Sequence, residues 1–475
     1  MGWNRRYAFV SYLRSSLWTV PLLALVVEQI GVRFLTFIDR SLQWVPALEV
    51  TAAEAGDALA TIQSLTIAFL VFTFGSMLVA LQVASAQLTP RIIATTLLRD
   101  NTIRFTVGLF VFTLLLAVGT KARLHDPLPL AMVTVAIVAG IGSMAAFLFL
   151  IDYTARLLRP TAICQRVAER GMAVIEAVYP DPIEHPHVPR QRQQTPPQPV
   201  RTVVHKGRSA VVLALNLKAL IRLARDADGA IDFVPRVGDF VATAEPLFRL
   251  SGSAATLSDS TLRSQVAFGP ERTMEQDATF AFRVIVDVAV KALSQAINDP
   301  TSAVMALDQI HRLLRVVGRR HLHDDAMYDD QGSLRLILPT PNWDDFVDLA
   351  FSEIRLYGAS NFQVTRRLYA IIEDLMNVLP ETRKAALHRQ LRVLNNTLER
   401  LHLLPEDLML ARHPDRQGLA GSSTPYELQQ PAVRTSGVTD QTGQRLRPPP
   451  PVDVDRRSSA QIPGGHDHHG QPRHP

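Results

Sequence analysis

The stretch IQSLTIAFLVFTFGSMLVALQVA, residues 62–84, decides the class of this fold. It carries no charged side chain, and its apolar residues are nearly uninterrupted. A helix needs about 20 mainly apolar residues to cross the hydrocarbon core of a bilayer. The stretch therefore predicts a membrane-spanning helix.

Three further apolar runs lie in the first third of the 475-residue chain, at residues 17–38, 103–120 and 128–151. The run at 17–38 contains Glu28 and Arg33. No small-x-small cleavage site of a signal peptide follows this run, so we interpret it as a retained helix. The four runs predict a four-span transmembrane domain within residues 1–155.

Arginine is unevenly distributed among the segments that flank the four runs. Short cytoplasmic loops of membrane proteins carry an excess of Lys and Arg. Three flanks are arginine-rich: the N-terminus (Arg5, Arg6, Arg14), the loop between the second and third runs (Arg91, Arg99, Arg104) and the segment after the fourth run (Arg156, Arg159, Arg166, Arg170). This bias predicts that both termini are cytoplasmic.

The rest of the chain predicts a mixed domain on the cytoplasmic side. Residues 156–200 predict a connecting helix and a Pro-rich linker, 201–255 a small β-rich subdomain, and 256–411 a helical subdomain in which only 333–341 alternates like a strand. The composition of 412–475 is typical of a disordered tail. The expected fold is membrane α-helical, with four transmembrane helices followed by an α+β cytoplasmic domain.

The tripeptide Asn298-Asp299-Pro300 interrupts a helical pattern. Asp is a preferred helix N-cap, and Pro suits the next position because it has no N–H to satisfy. We expect Asp299 to cap and Pro300 to open a second helix, with the apolar face of the first helix continuing to Ala296. The alternative is a corner that contacts a ligand, because a helix N-terminus attracts anions.

A leucine seam near the end of the helical region has the spacing of a coiled coil. Its members are Leu387, Leu391, Leu394, Leu398 and Leu401. The seam lasts only about two heptads, which favours packing within the chain over self-association.

Polar residues inside the spans are candidates for a membrane path. Glu28 lies midway along the first run, where an ionisable group is costly and by default suggests function. The second run adds Gln63, Thr66, Thr73 and Ser76, which fall within an arc of roughly 140° on a helix. The alternatives are an interfacial position for Glu28 and hydrogen bonds from the polar arc to neighbouring helices.

The loop QLTPRIIATTLLRD, residues 87–100, repeats the capping pattern. Thr89 is expected to cap and Pro90 to open a helix that carries Arg91 and Arg99, and Asp100 closes the loop. Such arginines fix orientation or contact anionic lipid. They are also candidates to couple the spans to the cytoplasmic domain.

Enzyme motifs such as G-x-x-x-x-G-K-[ST], G-x-S-x-G, H-E-x-x-H and C-x-x-C do not occur, so we expect no catalytic activity and no cofactor. His321, His323 and Asp324 are a weak candidate for a Zn²⁺ or Mn²⁺ site, with a polar loop as the alternative. The single cysteine, Cys164, excludes an intrachain disulfide. The charge of +5 forms no basic stripe interleaved with aromatic residues, so no nucleic-acid partner is expected.

Three stretches together resemble one family, the predicted bacterial membrane proteins labelled domain of unknown function 2254. They are residues 84–110, 237–248 and 277–308, and the resemblance extends from about residue 15 to 400. It implies a multi-span membrane region with a cytoplasmic domain, in a bacterial inner membrane, and no assigned activity. The family often has Pro where this chain has Gln295. Because Gln does not break a helix, we expect the first helix of this chain to run closer to the corner than in those relatives.

Two functional hypotheses follow from these features. The first is a homo-oligomeric channel or transporter whose path includes Glu28 and the polar arc, gated by the cytoplasmic domain. The second is a non-conducting membrane sensor or scaffold, whose cytoplasmic domain binds an unknown ligand or partner. The lipid bilayer is the one partner that both hypotheses require.

Overall fold

The computed structural model describes residues 2–16, 18–42, 51–87, 100–124, 128–157, 159–183, 198–322, 325–401 and 404–419. The chain begins with the helices α1 (Trp3–Ser15), α2 (Thr19–Leu42), α3 (Ala52–Gln87), α4 (Asn101–Lys121) and α5 (Leu130–Leu157). Helices α2 to α5 are long and apolar enough to cross a membrane, so the four predicted apolar helices are present as candidate spans. Helix α1 was not predicted, because its charged and aromatic residues follow no single apolar face.

The spanning helices form a bundle that is mainly apolar outside and has a few polar side chains inside. Helix α4 is central, and it packs against α2, α3 and α5. A Cβ at Gly108 would lie 2.7 Å from Val20 Cγ1, so this glycine allows α2 and α4 to approach closely. Inside the bundle, the Thr113 and Ser143 hydroxyls are 2.9 Å apart and link α4 to α5. Large apolar side chains on the outer surface, such as Ile30 and Val71, suit contact with lipid.

An α+β region follows the bundle. Its helices are α6 (Pro160–Val178), α7 (Leu217–Asp226), α8 (Asp259–Arg263), α9 (Ala278–Ala292), α10 (Pro300–Gly318), α11 (Trp343–Gly358), α12 (Phe362–Val378), α13 (Glu381–Leu401) and α14 (Pro405–Arg412). Its strands are β1 (Arg201–Val204), β2 (Ala210–Leu215), β3 (Gly229–Phe233), β4 (Phe240–Val241), β5 (Pro246–Gly252), β6 (Val266–Gly269), β7 (Ala326–Tyr328) and β8 (Leu334–Ile337).

The strands form two sheets, and both draw on chain segments that are distant in sequence. One sheet has the order β1-β5-β3-β8-β7, and the other has the order β4-β2-β6. Strands β3 and β8 pair in parallel, with Ile231 opposite Leu336. The larger sheet therefore crosses the boundary expected near residue 255. The predicted strand at 333–341 is present but shorter, as β8.

A single helical core holds α6 and α9 to α14 together. A Cβ at Gly171 of α6 would lie 2.6 Å from Ala281 Cβ of α9, so these two helices are in close contact. Of the leucine seam, Leu387, Leu394 and Leu398 are buried in this core, whereas Leu401 is half exposed. The seam thus packs within the chain.

At the corner formed by residues 298–300, the predicted start of the second helix is confirmed, but the predicted end of the first helix is not. The Asp299 carboxylate accepts the Ser302 N–H at 3.0 Å and caps α10, and Pro300 opens that helix. The first helix, however, ends at Ala292, so the expectation that its face continues to Ala296 is wrong, and Ala296 is exposed. Ser294 Oγ donates to the Lys291 carbonyl, a local bond that competes with the helix.

Residues 412–419 also differ from the prediction, which placed them in the tail. Asp415 is buried and accepts the N–H groups of Gln417 and Gly418. The side chain of Gln363 on α12 donates to the Gly418 carbonyl at 2.6 Å. This segment therefore packs on α12, and the remaining tail residues, 420–475, lie outside the described residues.

Folding stability of the helical core is expected to depend on pH through His311, which bonds Asp374 at 2.7 Å between α10 and α12. Burial lowers the pKa of His311, although the Asp374 carboxylate opposes the effect. Acidification through the ordinary histidine range therefore protonates the unfolded chain first and favours unfolding. We expect the apparent melting temperature to fall between about pH 7.5 and about pH 5.5, and His311→Gln to reduce this fall.

The matched control for this measurement is His388→Gln, because His388 is exposed on α13. An equal pH dependence in the His311 and His388 variants would contradict the assignment.

Candidate functional site: a cleft linked to the spanning helices

A cleft of about 570 Å³ opens between the sheets and the helical core. Its walls are the end of α6, the loop before β4, the segment between β6 and α9, the loop after β8 and the start of α11. The volume falls within the range of roughly 300–1,000 Å³ that small-molecule sites occupy. Apolar residues such as Leu349 and polar residues such as Arg236 and Asp239 share the lining.

The floor of the cleft is built around the first turn of α9. Asp277 caps this helix, because its Oδ1 atom accepts the Phe280 N–H at 3.1 Å. The Arg272 guanidinium forms an ion pair with Asp277 Oδ2 and donates to Thr279 Oγ1 at 3.0 Å. The Asp277 side chain is only 3% exposed, so an unpaired charge here would be costly, and Arg272 offsets it.

Gly238 brings the loop before β4 against this ion pair. Its φ of +94° lies in a backbone region that residues other than glycine rarely adopt. A Cβ at this position would lie 2.5 Å from both Arg272 Nε and Asp277 Oδ2. Glycine is thus required here both by the backbone conformation and by the lack of space.

The lining carries more negative than positive charge. It has four carboxylates, on Asp239, Glu275, Asp277 and Asp345, against the guanidinium groups of Arg236 and Arg272. Tyr179 is buried beside them, and burial, together with the charges of Asp277 and Asp345, raises the pKa of its hydroxyl. The tyrosine therefore stays protonated at neutral pH and adds no charge to the cleft.

Glu275 connects the cleft to the N-terminal helix. Its carboxylate accepts hydrogen bonds from the hydroxyl groups of Tyr7 and Ser11 on α1, the second at 3.1 Å. The backbone N–H of Asn4 donates to the Ser264 carbonyl at 3.2 Å, and Trp3 and Tyr7 pack against β2 and β6. One side of α1 is therefore bound to the α+β region.

The opposite end of α1 meets the spanning helices. Arg104, in the first turn of α4, donates to the Leu13 carbonyl at 3.1 Å and to the Thr19 hydroxyl. Leu13 belongs to α1 and Thr19 opens α2. A single arginine thus joins α1 to the ends of two spans.

A second junction joins α6 to the spans through Asp100. The Asp100 Oδ1 atom caps α4 by accepting the Thr102 N–H at 2.9 Å. Its Oδ2 atom accepts from the Tyr153 hydroxyl at 2.6 Å and from Arg166 Nη1 at 2.8 Å. Asp100, Tyr153 and Arg166 lie on α4, α5 and α6 in turn, so one carboxylate holds three helices together. Helix α6 then extends to Val178 and Tyr179 in the cleft wall.

The predicted path residues lie inside or beside the bundle. Glu28 is 4% exposed, and its Oε1 atom lies near Gly119, where a Cβ would be 3.3 Å from both Glu28 Oε1 and Arg123 Nη1. Thr66 and Thr73 are buried, while Gln63 and Ser76 are half-buried. The hydroxyls of Thr66 and Ser76 donate to carbonyls of α3 itself, at 2.7 Å and 3.1 Å. The four residues of α3 thus lie on a face that is buried or half-buried in the chain.

The remaining predicted site residues lie apart from the cleft or outside the described residues. Thr89, Pro90, Arg91 and Arg99 are not described, so of this loop only Asp100 is placed. The Asn298-Asp299-Pro300 corner follows α9, about 20 Å from the cleft at the other end of that helix. His323 and Asp324 are also not described. The backbone N–H of His321 donates a hydrogen bond to the Asp181 carbonyl at 2.8 Å. The described ranges contain no group of three potential metal ligands.

Sequence reasoning missed the cleft residues Arg272, Glu275, Asp277 and Gly238. A capping rule could have found Asp277, because it directly precedes the long apolar stretch of α9. Nothing local indicates that Arg272 or Gly238 meets it, since these contacts depend on the fold.

Comparison with known proteins places the chain among uncharacterised membrane proteins. Uncharacterized proteins of Mycobacterium bovis and Mycobacterium tuberculosis are each 26% identical over 473 residues, covering 94% of this chain and 85% of theirs. No solved structure matches the chain. The family of predicted membrane proteins DUF2254 matches residues 14–374. The chain therefore belongs to the DUF2254 family of predicted membrane proteins.

Proposed function

We propose that the protein is a sensor of the bacterial inner membrane, with its termini and α+β region in the cytoplasm, and that it binds a small ligand in the cleft. The observation that carries this proposal is that α1 and α6 each join the cleft to the spanning helices. Glu275 bonds α1 to the cleft and Arg104 bonds α1 to the spans. Tyr179 lies at the C-terminal end of α6 in the cleft wall, and Arg166 in the second turn of α6 bonds Asp100.

The mechanism that this arrangement supports is mechanical. A ligand that separates or closes the cleft walls would move the end of α6 relative to the first turn of α9. Because helices are stiff, the displacement reaches Arg166 and the shared Asp100 carboxylate, about 18 Å along α6. The same movement acts on Glu275 and hence on α1.

The charge of the lining narrows the ligand class. Four carboxylates face two guanidinium groups, which disfavours phosphorylated or other anionic ligands. The apolar walls favour a ligand with an apolar body. We therefore propose a neutral or cationic organic molecule rather than a nucleotide, and no catalytic step.

Filling the cleft with a side chain should reproduce part of the ligand's effect. Leu349→Trp, on the cleft wall, is expected to change amide hydrogen exchange about threefold or more in residues 3–15 and 101–106 of the full chain in lipid nanodiscs. The physical reason is that the larger side chain displaces α11 from the end of α6. The matched control is Leu356→Trp on the same helix, at a position that is 64% exposed.

A change confined to α11 and the cleft lining in Leu349→Trp would contradict transmission to the spans. A change of the same size in Leu356→Trp would mean that the effect is not specific to the cleft.

The second candidate function is a channel or transporter formed by several copies of the chain. It is favoured by one observation, the buried carboxylate of Glu28 in a spanning helix. A pore predicts ion flux through liposomes containing the protein and a change in rate or selectivity in Glu28→Gln. Ser64→Ala, on the exposed side of α3, should leave that flux unchanged.

A sensor predicts no flux from either variant or from the original chain, tested across several cations and anions. Glu28→Gln would then be tolerated or would stabilise the bundle, because a buried charge is removed.

A further inference from the structure

Helix α1 has aromatic and apolar side chains on two opposite sides. The rings of Trp3 and Tyr7 are stacked, with their centroids 5.2 Å apart. Both residues, together with Ser11, face the α+β region. Arg5, Phe9 and Tyr12 lie about 160° around the helix from them, given 100° per residue. Phe9 and Tyr12 are each 55% exposed. A helix with two such sides is suited to a position between two apolar environments, and the α+β region accounts for only one of them.

The chain bends between α1 and the first span. The Trp18 indole N–H donates to the Tyr12 hydroxyl at 3.3 Å, and the Thr19 hydroxyl lies 3.4 Å from the Leu13 carbonyl. Residues six apart are about 9 Å from each other along a straight helix, so these contacts require a sharp turn. Helix α1 therefore leaves the axis of α2 at the point where α2 enters the membrane.

Contacts at the end of α1 place it level with the membrane boundary. Arg104, which holds the Leu13 carbonyl, is in the first turn of a span. The rings of Trp18 and Tyr12 are exposed beside this boundary, and their centroids are 6.3 Å apart. Trp and Tyr are enriched at that depth, because their rings are apolar and their polar atoms remain in contact with water and headgroups.

The charge of this segment is positive only. Arg5, Arg6 and Arg14 precede the first acidic residue of the chain, Glu28. Arg5 and Arg6 are exposed. Each basic residue near an anionic leaflet contributes about 1 kcal/mol of attraction.

We propose that α1 lies on the inner surface of the bilayer and binds anionic lipid headgroups, with Phe9 and Tyr12 in the interface and Arg5 on the headgroups. A lipid surface is favoured over a protein partner because α1 is continuous with a span and already fixed at the membrane boundary. The inference rests on the spanning helices and, for the choice of the inner surface, on the proposed cytoplasmic N-terminus, but not on the proposed ligand of the cleft.

The chain suits a fluorescence test of this proposal, because its one cysteine, Cys164, is 2% exposed. Burial raises the pKa of the Cys164 thiol to about 12, so it reacts poorly with labels. Phe9→Cys and Tyr12→Cys would each carry an environment-sensitive fluorophore. Phe240→Cys is the control, since Phe240 is 66% exposed on β4.

The full chain is placed in liposomes of phosphatidylcholine and phosphatidylglycerol that contain lipids spin-labelled near the headgroup. We expect these lipids to quench the labels at 9 and 12 several-fold more than the label at 240. Replacing phosphatidylglycerol with phosphatidylcholine, or adding Arg5→Glu, should reduce the quenching. Arg312→Glu, at an exposed position on α10, should not.

Three results would overturn the proposal. If the labels at 9 and 12 are quenched no more than the label at 240, α1 does not lie in the membrane interface. Quenching that is independent of phosphatidylglycerol and of Arg5 would show that α1 does not bind anionic headgroups. Disulfide cross-linking between chains through Phe9→Cys or Tyr12→Cys in the liposomes would show that a second copy of the chain covers this face instead.

Discussion

Gly238→Ala is expected to lower the free energy of unfolding of the α+β region by about 3–5 kcal/mol. Two costs combine in this variant. Alanine is strained at a φ of +94°, and its Cβ would lie 2.5 Å from atoms of Arg272 and Asp277. Relieving the contact requires the ion pair at the cap of α9 to move. Denaturant unfolding of the purified protein, followed by tryptophan fluorescence, measures the loss.

Gly332→Ala provides the matched control. Gly332 also has a positive φ, of +77°, but a Cβ there would meet no atom within 4 Å. Its cost should be the backbone strain alone, about 1–2 kcal/mol. Equal losses in the two variants would mean that the contact with Arg272 and Asp277 contributes nothing, and the described geometry of the cleft floor would be wrong.

Asp100→Ala should have the second large effect, a loss of about 2–4 kcal/mol. The variant removes the cap of α4 and leaves Arg166 and the Tyr153 hydroxyl without their shared acceptor. The Asp100 side chain is 8% exposed and that of Arg166 is 29% exposed, so solvent replaces the lost bonds only in part. Thermal unfolding in detergent, scored by the retention of monodisperse protein, is the measurement.

Two further variants separate the contributions of Asp100. Asp100→Asn keeps an acceptor for the cap but removes the charge opposite Arg166, so an intermediate loss is expected. Asp152→Ala removes an ion pair with Arg156 that is well exposed, and it should cost at most a few tenths of a kcal/mol. A loss in Asp152→Ala as large as in Asp100→Ala would contradict a special role for the three-helix junction.

The sequence predicted the features that depend on local composition. The four spans follow from long apolar runs, and the cap of α10 follows from the chemistry of Asp299 and Pro300. The burial of Leu394 and Leu398 follows from their spacing. Each of these signals is contained within about 20 residues of chain.

The features that were not predicted depend on contacts between distant segments. Strand β8 looked isolated within a helical region, because its parallel partner β3 lies far earlier in the chain. Helix α1 has no single apolar face, because it contacts the sheet on one side and exposes aromatic residues on the other. Gly238 and Arg272 are unremarkable in sequence, and their contact exists only once the loop and α9 are in place.

The pairing of β3 with β8 has a consequence for biosynthesis. Leu336 emerges from the ribosome about 105 residues after Ile231, a delay of roughly 5–20 s at ordinary rates of translation. During this interval the edge of β3 that will receive β8 has no partner, and open strand edges can pair with other chains. The spans precede both strands, so this edge would be exposed on a chain already held at the membrane. The interval in which such mispairing can occur ends when the residues of β8, up to Ile337, have emerged and paired with β3.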